Sequence, residues 1–473
     1  MTTSVQIGAC NTMGVAAGKV NALRAGLRGK AFLPGEAGYD EARTVWNAMI
    51  DRHPDIIVRC QDAADVARAV RFAVEHRLPI SVKGGGHNIA GSAVGESGLM
   101  VDLSAMKGIE VDPERRRAQV SPGATLADVD RQTQAFGLAV PVGINSTTGI
   151  AGLTLGGGFG WLTRPFGMTV DSLISADLVT ARGEQVHASA DMNPDLFWAI
   201  RGGGGNFGIV TSFEFALHPV GPEVFSGLIV HPFSEAKELL KGYRRVAAEA
   251  PDQLTIWSVM RKAPPLPFIP AEWHGREVLI FAACYAGPMA DGEKAAAPLR
   301  RLGKPIADVL GPHPFVGWQA AFDPLLTPGA RNYWKTHDFE SISDGLIDVL
   351  VRGVARLPSP ECEVFMAHVG GAMSRVASDA TAYPQRAAHF FMNMHTRWRE
   401  AAQDRECIGW ARDLFQAAAP YATGGAYVNF IPEDEPDRTE SAYGSNYQRL
   451  AHVKQRWDPD NLFHNNQNIR PSR

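Results

Sequence analysis

The sequence predicts a mixed α+β fold, and three observations carry that expectation. Between residues 55 and 82 a strand, an amphipathic helix and a second strand follow one another. Short strands joined by polar turns then recur as far as Phe215. Glycine-rich stretches at 83–91, 141–160 and 203–208 interrupt this pattern where elements end.

Asp55–Arg59 reads as a short strand, and Ala63, Val66, Ala67, Val70, Ala73 and Val74 then recur at helical spacing. Arg77–Val82 returns to strand, which makes a βαβ unit. It delivers the chain to Lys83-Gly84-Gly85-Gly86-His87-Asn88-Ile89-Ala90-Gly91. Consecutive residues without Cβ let backbone N–H groups crowd around one point, the geometry that cradles a pyrophosphate, and they fix a single imidazole at the rim.

Strands follow at Gly98–Asp102, Gly108–Val111 and Arg117–Val120, the last two joined by the polar turn Asp112–Arg115. Thr125 is the expected N-cap of a helix that carries Leu126, Val129 and Phe136 and stops at Gly137. The second glycine stretch, Pro141–Gly160, reads as a long loop suited to a large polar ligand. Its Leu153, Leu155 and Phe159 would be poorly placed in a solvated linker. Ile174–Thr180 and Gln185–His187 pair across the turn Ala181–Glu184. The third run, Gly203–Gly208, matches G-x-G-x-x-G, but a helix at Asp195–Ile200 leads in and a strand at Ile209–Phe215 leads out. A Rossmann nicotinamide site needs the reverse order, so that reading is excluded.

At 473 residues, with 45% hydrophobic and 20% charged residues, the chain is long enough for two or three domains. The net charge of −4 comes from intermixed charges, so no nucleic-acid or membrane-surface partner is expected. No stretch approaches the ~18 apolar residues of a membrane span and Met1–Lys30 has no apolar leader core, which makes the cytoplasm the expected location. Cys10, Cys60, Cys284, Cys362 and Cys407 are scattered without C-x-x-C spacing, so reduced thiols are expected rather than disulfides or a metal site.

From Val220 to Pro420 the sequence is least informative. Glu235–Ala250 is helix-like, and Glu363–Ala367 and His389–His395 are strand-like. Alternation sets Phe391, Asn393 and His395 on one face and Phe390, Met392 and Met394 on the other. Which face looks at a ligand is not fixed by the pattern, and a strand histidine is taken as structural. The closing segment holds Tyr427-Val428-Asn429, Tyr443–Leu450 and Lys454–Phe463.

Taken together, His87 in its glycine loop, Ser121–Leu126, Pro141–Gly160, Asp195–Gly208, Gly370-Gly371, Tyr383–Arg386 and the closing segment resemble the berberine-bridge-enzyme-like flavoprotein oxidases, which share the FAD-binding fold of vanillyl-alcohol oxidase. The resemblance implies a two-subdomain FAD-binding domain of the PCMH type at 45–219, after an N-terminal segment at 1–44. It implies a substrate domain at 220–419, with an antiparallel sheet covered by helices, and a segment at 420–473 that returns to the FAD domain.

By the same resemblance FAD is the cofactor. Lys83, Gly84, Gly85, Gly86, His87, Asn88 and Gly91 of the first loop would bind it. Thr147, Thr148, Gly149, Ala151, Gly152, Gly156, Gly157 and Gly160 of the second would join them, with Ile209 and, from the closing segment, Tyr427, Asn429, Asn465 and Gln467. His87 would attach the flavin through its 8α-methyl group. Many relatives add a second bond from a cysteine in the second loop; Asn145 stands in that place, so one bond is expected. Tyr427, on a Tyr-x-Asn strand beside the flavin, is the candidate base, which requires something to lower its pKa from about 10.

The implied reaction removes a hydride from an alcohol or amine carbon of a sugar, alkaloid or aromatic metabolite, with electrons passing to O2 to give H2O2. A dehydrogenase using a quinone or protein acceptor and a catalytically silent flavin-binding protein are the alternatives. The chain is expected to be a monomer or homodimer.

Overall fold

In the computed structural model, which describes residues 15–435 and 437–472, the apolar face of the helix Ala63–His76 organises the first layer. Asp62 caps this helix by accepting from the Asp65 N–H, and Arg77 ends it in the left-handed region. Val66, Val70 and Ala73 pack beneath a four-stranded sheet in the order Lys30–Phe32, Ile56–Arg59, Leu99–Asp102, Ile80–Lys83. The strand–helix–strand unit is present, but its two strands are not neighbours. Leu99–Asp102, buried at all four residues, lies between them and runs parallel to both.

The second layer is a five-stranded antiparallel sheet, in the order Ile109–Asp112, Arg117–Val120, Ile209–Ala216, Leu173–Val179, Gln185–Ser189. Thr125 caps the helix Leu126–Gln134 in a full capping box with Asp128. That helix stops short of Gly137, so Phe136 lies beyond it with half its surface in solvent and is not part of the buried face. The second glycine stretch is not all loop either: Ile150–Leu155 forms a short helix, in which Ile150, Ala151 and Thr154 are buried.

An eight-stranded antiparallel sheet forms the third layer. Its central strands are Glu277–Tyr285, Leu254–Lys262, Glu363–His368 and Phe390–Trp398, with Arg331–Phe339 at one edge. The helices Ala236–Glu249, Asp344–Val354 and Asp404–Ala418 cover one face, where Leu240, Leu350 and Leu414 meet Phe390, Met392 and Met394. Phe391, Asn393 and His395 therefore point the other way, towards the glycine loops.

Beyond Phe463 the chain lies against the third glycine run. The fully buried Lys454 ammonium pairs with Asp458 at 2.6 Å and donates to the carbonyls of Asn206 and Phe463. Around Tyr427 the expected strand is absent. Val428–Phe430 is a single 3-10 turn, which aims Tyr427 inward. Among the described residues no helix is long and apolar enough to cross a membrane. Cys60, Cys284, Cys362 and Cys407 are buried free thiols, and Cys10 lies outside the described residues.

Candidate active site

A cavity of about 360 Å³ lies between the glycine loops and the uncovered face of the large sheet. One wall is mostly backbone. A Cβ on Gly85 would sit 2.3 Å from the Gly149 nitrogen, and one on Gly149 would sit 2.4 Å from the Gly85 nitrogen. The first two loops thus touch main chain to main chain, a contact closed to any side chain. Gly152 and Gly205, which also line the cavity, have nothing within 4 Å of an added Cβ, so their main chain faces open space.

The structure brings most of the expected cofactor residues to this cavity. Gly84, Gly85, Gly86, His87 and Asn88 line it from the first loop; Thr148, Gly149, Ala151 and Gly152 from the second; and Ile209 from the strand after the third. Tyr427, Asn429, Asn465 and Gln467 reach it from the closing segment. Six others stand outside the lining. Lys83 turns under the sheet to donate to the Ala42 carbonyl, 3.9 Å from Asp102, and burial pushes its ammonium pKa down. Gly91 abuts Ile50, Gly156 abuts the Asn429 amide, Gly157 abuts Met168 and Tyr383, and Gly160 lies under the Val142 carbonyl. Thr147, itself exposed, sets its hydroxyl 3.0 Å from the His87 Nε2.

His87 stacks on Trp46, with centroids 5.2 Å apart. Burial drives its pKa down to about 4, so the ring is neutral at neutral pH. Asn145 also lines the cavity, and its Oδ1 accepts from the Thr147 N–H and hydroxyl.

Tyr427 is buried among Phe159, Phe391 and Phe430. Its oxygen accepts from the Gly158 N–H and the Asn429 amide, both at 3.1 Å. Burial raises its pKa to about 12 despite those two donors, neither of which is a cation. A base needs the opposite shift.

The facing wall is made of side chains set in rungs across the sheet. Register aligns Arg261, Glu363, His395 and Trp334 in one rung and Val259, Phe365 and Asn393 in the next. Trp257 and Phe391 stand in the third. In the first rung Arg261 donates to Glu363 at 2.6 Å, and the His395 Nδ1 lies 3.0 Å from the other Glu363 oxygen. Burial works to raise the Glu363 pKa, but Arg261 and His395 outweigh it and hold the carboxyl at about 2. Among the described residues neither His395 Nε2 nor the Asn393 amide has a partner, although both are buried. Trp257 stacks on Phe365 at 5.4 Å, and Trp334 meets His395 edge-on at 4.7 Å. Sequence reasoning did not select Arg261, Glu363, Asn393 or His395 as site residues. The alternation along residues 391–395 was the available signal, since it put three of this wall's residues on one face.

Comparison with known proteins adds to this geometry. A family model described as FAD binding domain matches residues 54–189, and one described as berberine and berberine like matches 426–470. An FAD-linked oxidoreductase of Bacillus subtilis is 32% identical over 458 residues, spanning 94% of this chain and 98% of that one. The (R)-6-hydroxynicotine oxidase of Paenarthrobacter nicotinovorans is 28% identical, over 94% and 97% of the two chains. The crystal structure of 6-hydroxy-D-nicotine oxidase from Arthrobacter nicotinovorans superposes with a TM-score of 0.85 at 27% identity, covering 94% of this chain and 98% of that one.

Proposed function

The chain belongs to the berberine-like family of FAD-linked oxidoreductases, and from that premise we propose that it is an oxidase of aromatic or alkaloid-like alcohols or amines that passes electrons to O2 and releases H2O2. The observation that carries the reading is the pairing of walls: open glycine backbone and the neutral His87 imidazole face a wall of aromatic rings whose polar groups are gathered at Arg261, Glu363, His395 and Asn393. The open main chain at Gly152 and Gly205 is a cradle that FAD would fill, held further by Asn465 and Gln467. Bound FAD supplies the acceptor for a hydride taken from substrate carbon.

The protein's own share is to bind, orient and dehydrate the substrate. Trp257, Phe365, Trp334 and Phe430 offer ring faces and edges to a flat apolar molecule. A relative named for 6-hydroxynicotine supports the same substrate class. Tyr427 keeps its proton at neutral pH, which suits it to donate a hydrogen bond to the substrate heteroatom.

His87 would carry the flavin through its 8α-methyl group, and Asn145 would add no second bond because an amide offers no thiolate. After acid denaturation the wild-type protein keeps its flavin, while His87→Ala releases all of it; retention by His87→Ala would refute the single attachment. Peroxide release across a panel of aryl alcohols, aryl amines and sugars tests the oxidase reading. Aryl compounds are expected to respond, and a panel in which only sugars do would overturn the substrate class. Bleaching of the flavin under anaerobiosis without peroxide formation in air would overturn the oxidase.

A further inference from the structure

We propose that His395, oriented by Glu363, is the proton acceptor of the reaction; the assignment rests on the oxidase reading above. Four observations converge. The Glu363 carboxylate is ionised and bonded on one oxygen to Arg261, so its other oxygen accepts from His395. An ionised acceptor holds a ring proton on Nδ1, so a ring that carries one proton has its lone pair on Nε2. That Nε2 is buried, has no partner among the described residues, and belongs to a side chain that lines the cavity. The unpartnered Asn393 amide, on the next rung, stands about 7 Å along the same strand face, close enough to hold the other end of a small polar group.

This is the arrangement in which a carboxylate holds an imidazole in one tautomer and stabilises the imidazolium that forms. In the step, the substrate O–H or N–H bond breaks and its proton moves to Nε2. The electron pair left on the heteroatom becomes the new C=O or C=N bond as the C–H hydride departs to the bound flavin, the acceptor already named. Substrate is oxidised by two electrons and His395 ends as an imidazolium paired with Glu363. The charged groups that face or influence His395 are Glu363 on the neighbouring strand, Arg261 one strand further, and Arg397 on its own strand, whose charge also reaches Glu363. On the remaining side stands Trp334, which does not titrate.

Two measurements test the assignment. Histidine-¹⁵N NMR of the FAD-loaded wild type at pH 8 should show one ring with protonated Nδ1 and bare Nε2, identified by its absence in His395→Gln; a His395 ring protonated on Nε2 would overturn the proposal without reference to any substrate. Anaerobic bleaching of the flavin is then followed against pH with the aryl alcohol or amine that the peroxide panel selects. His395→Gln should slow bleaching by ~10²–10⁴-fold and erase the rise in rate with pH, as loss of a general base does, whereas Tyr427→Phe should keep that rise. Glu363→Gln retains the imidazole but removes the anion that favours its charged form, so the rise should move to lower pH. Bleaching by His395→Gln within a fewfold of wild type, or an unmoved profile in Glu363→Gln, sinks the proposal. If no compound bleaches the wild-type flavin, the oxidase reading fails, and the NMR tautomer still decides the orientation of His395.

Discussion

The two walls of the cavity do their work with different parts of the chain. The loop wall acts through main chain, so its essential residues are those whose side chains are missing: Gly85 and Gly149 meet at distances no Cβ survives. The sheet wall acts through side chains alone, and its first rung is a chain of charge and aromatic contacts from Arg261 through Glu363 and His395 to Trp334. One wall is therefore sensitive to atoms added and the other to atoms removed.

The largest expected effect tests the loop wall. Gly85→Ala forces the two loops apart, which should abolish FAD uptake and cost about 1–3 kcal/mol by urea unfolding of the apoprotein, the usual range for overpacking. Gly152→Ala sharpens the point. Its added methyl meets no protein atom and sits in a helix, so the apoprotein should gain up to about 1 kcal/mol while FAD uptake falls. If Gly152→Ala takes up FAD as wild type does, the open face at Gly152 is not a cofactor surface.

On the sheet wall, Glu363→Gln should destabilise the protein by about 3 kcal/mol at pH 7, because it leaves Arg261 buried without its counter-ion. The folded pKa of Glu363, about 2, lies below the ~4.3 of an unfolded glutamate. Its stabilisation is therefore complete above about pH 4.3 and is lost as pH falls towards 2. The gap between wild type and variant, measured by denaturant unfolding, should close across that window. A gap that stays constant down to pH 2 would show that the carboxylate is not the group responsible.

The smallest effect belongs to Tyr427. With its pKa raised to about 12, Tyr427→Phe removes one neutral hydrogen bond and should slow anaerobic flavin reduction by about tenfold. A loss of ~10³-fold, with wild-type rates climbing steadily into strong alkali, would return the role of base to Tyr427.

The contrast between walls also explains what was legible in the sequence. A glycine loop is a local device: Lys83–Gly91 announces its backbone geometry within nine residues, and His87 comes with it. The N-cap at Thr125 was legible for the same reason. The first rung is not local. Arg261 and Glu363 lie 102 residues apart, Glu363 and His395 another 32, and they meet because three strands align in register. Period-two alternation told which residues share a face but not which face would be covered, since that depends on the helices Ala236–Glu249, Asp344–Val354 and Asp404–Ala418 choosing the side of Met392. Tyr427 was singled out, but its 3-10 turn and the donors beneath it come from tertiary packing against Gly158.

The seam between the closing segment and the third glycine run has a consequence for how the protein is made. The Lys454 ammonium joins residues 206, 458 and 463, and Tyr427, Asn465 and Gln467 enter the cavity from the same segment. Translation delivers these residues after every other part of the cavity wall. A chain not yet extended to residue 427 would hold all three glycine stretches and the whole large sheet but lack these cavity-lining residues.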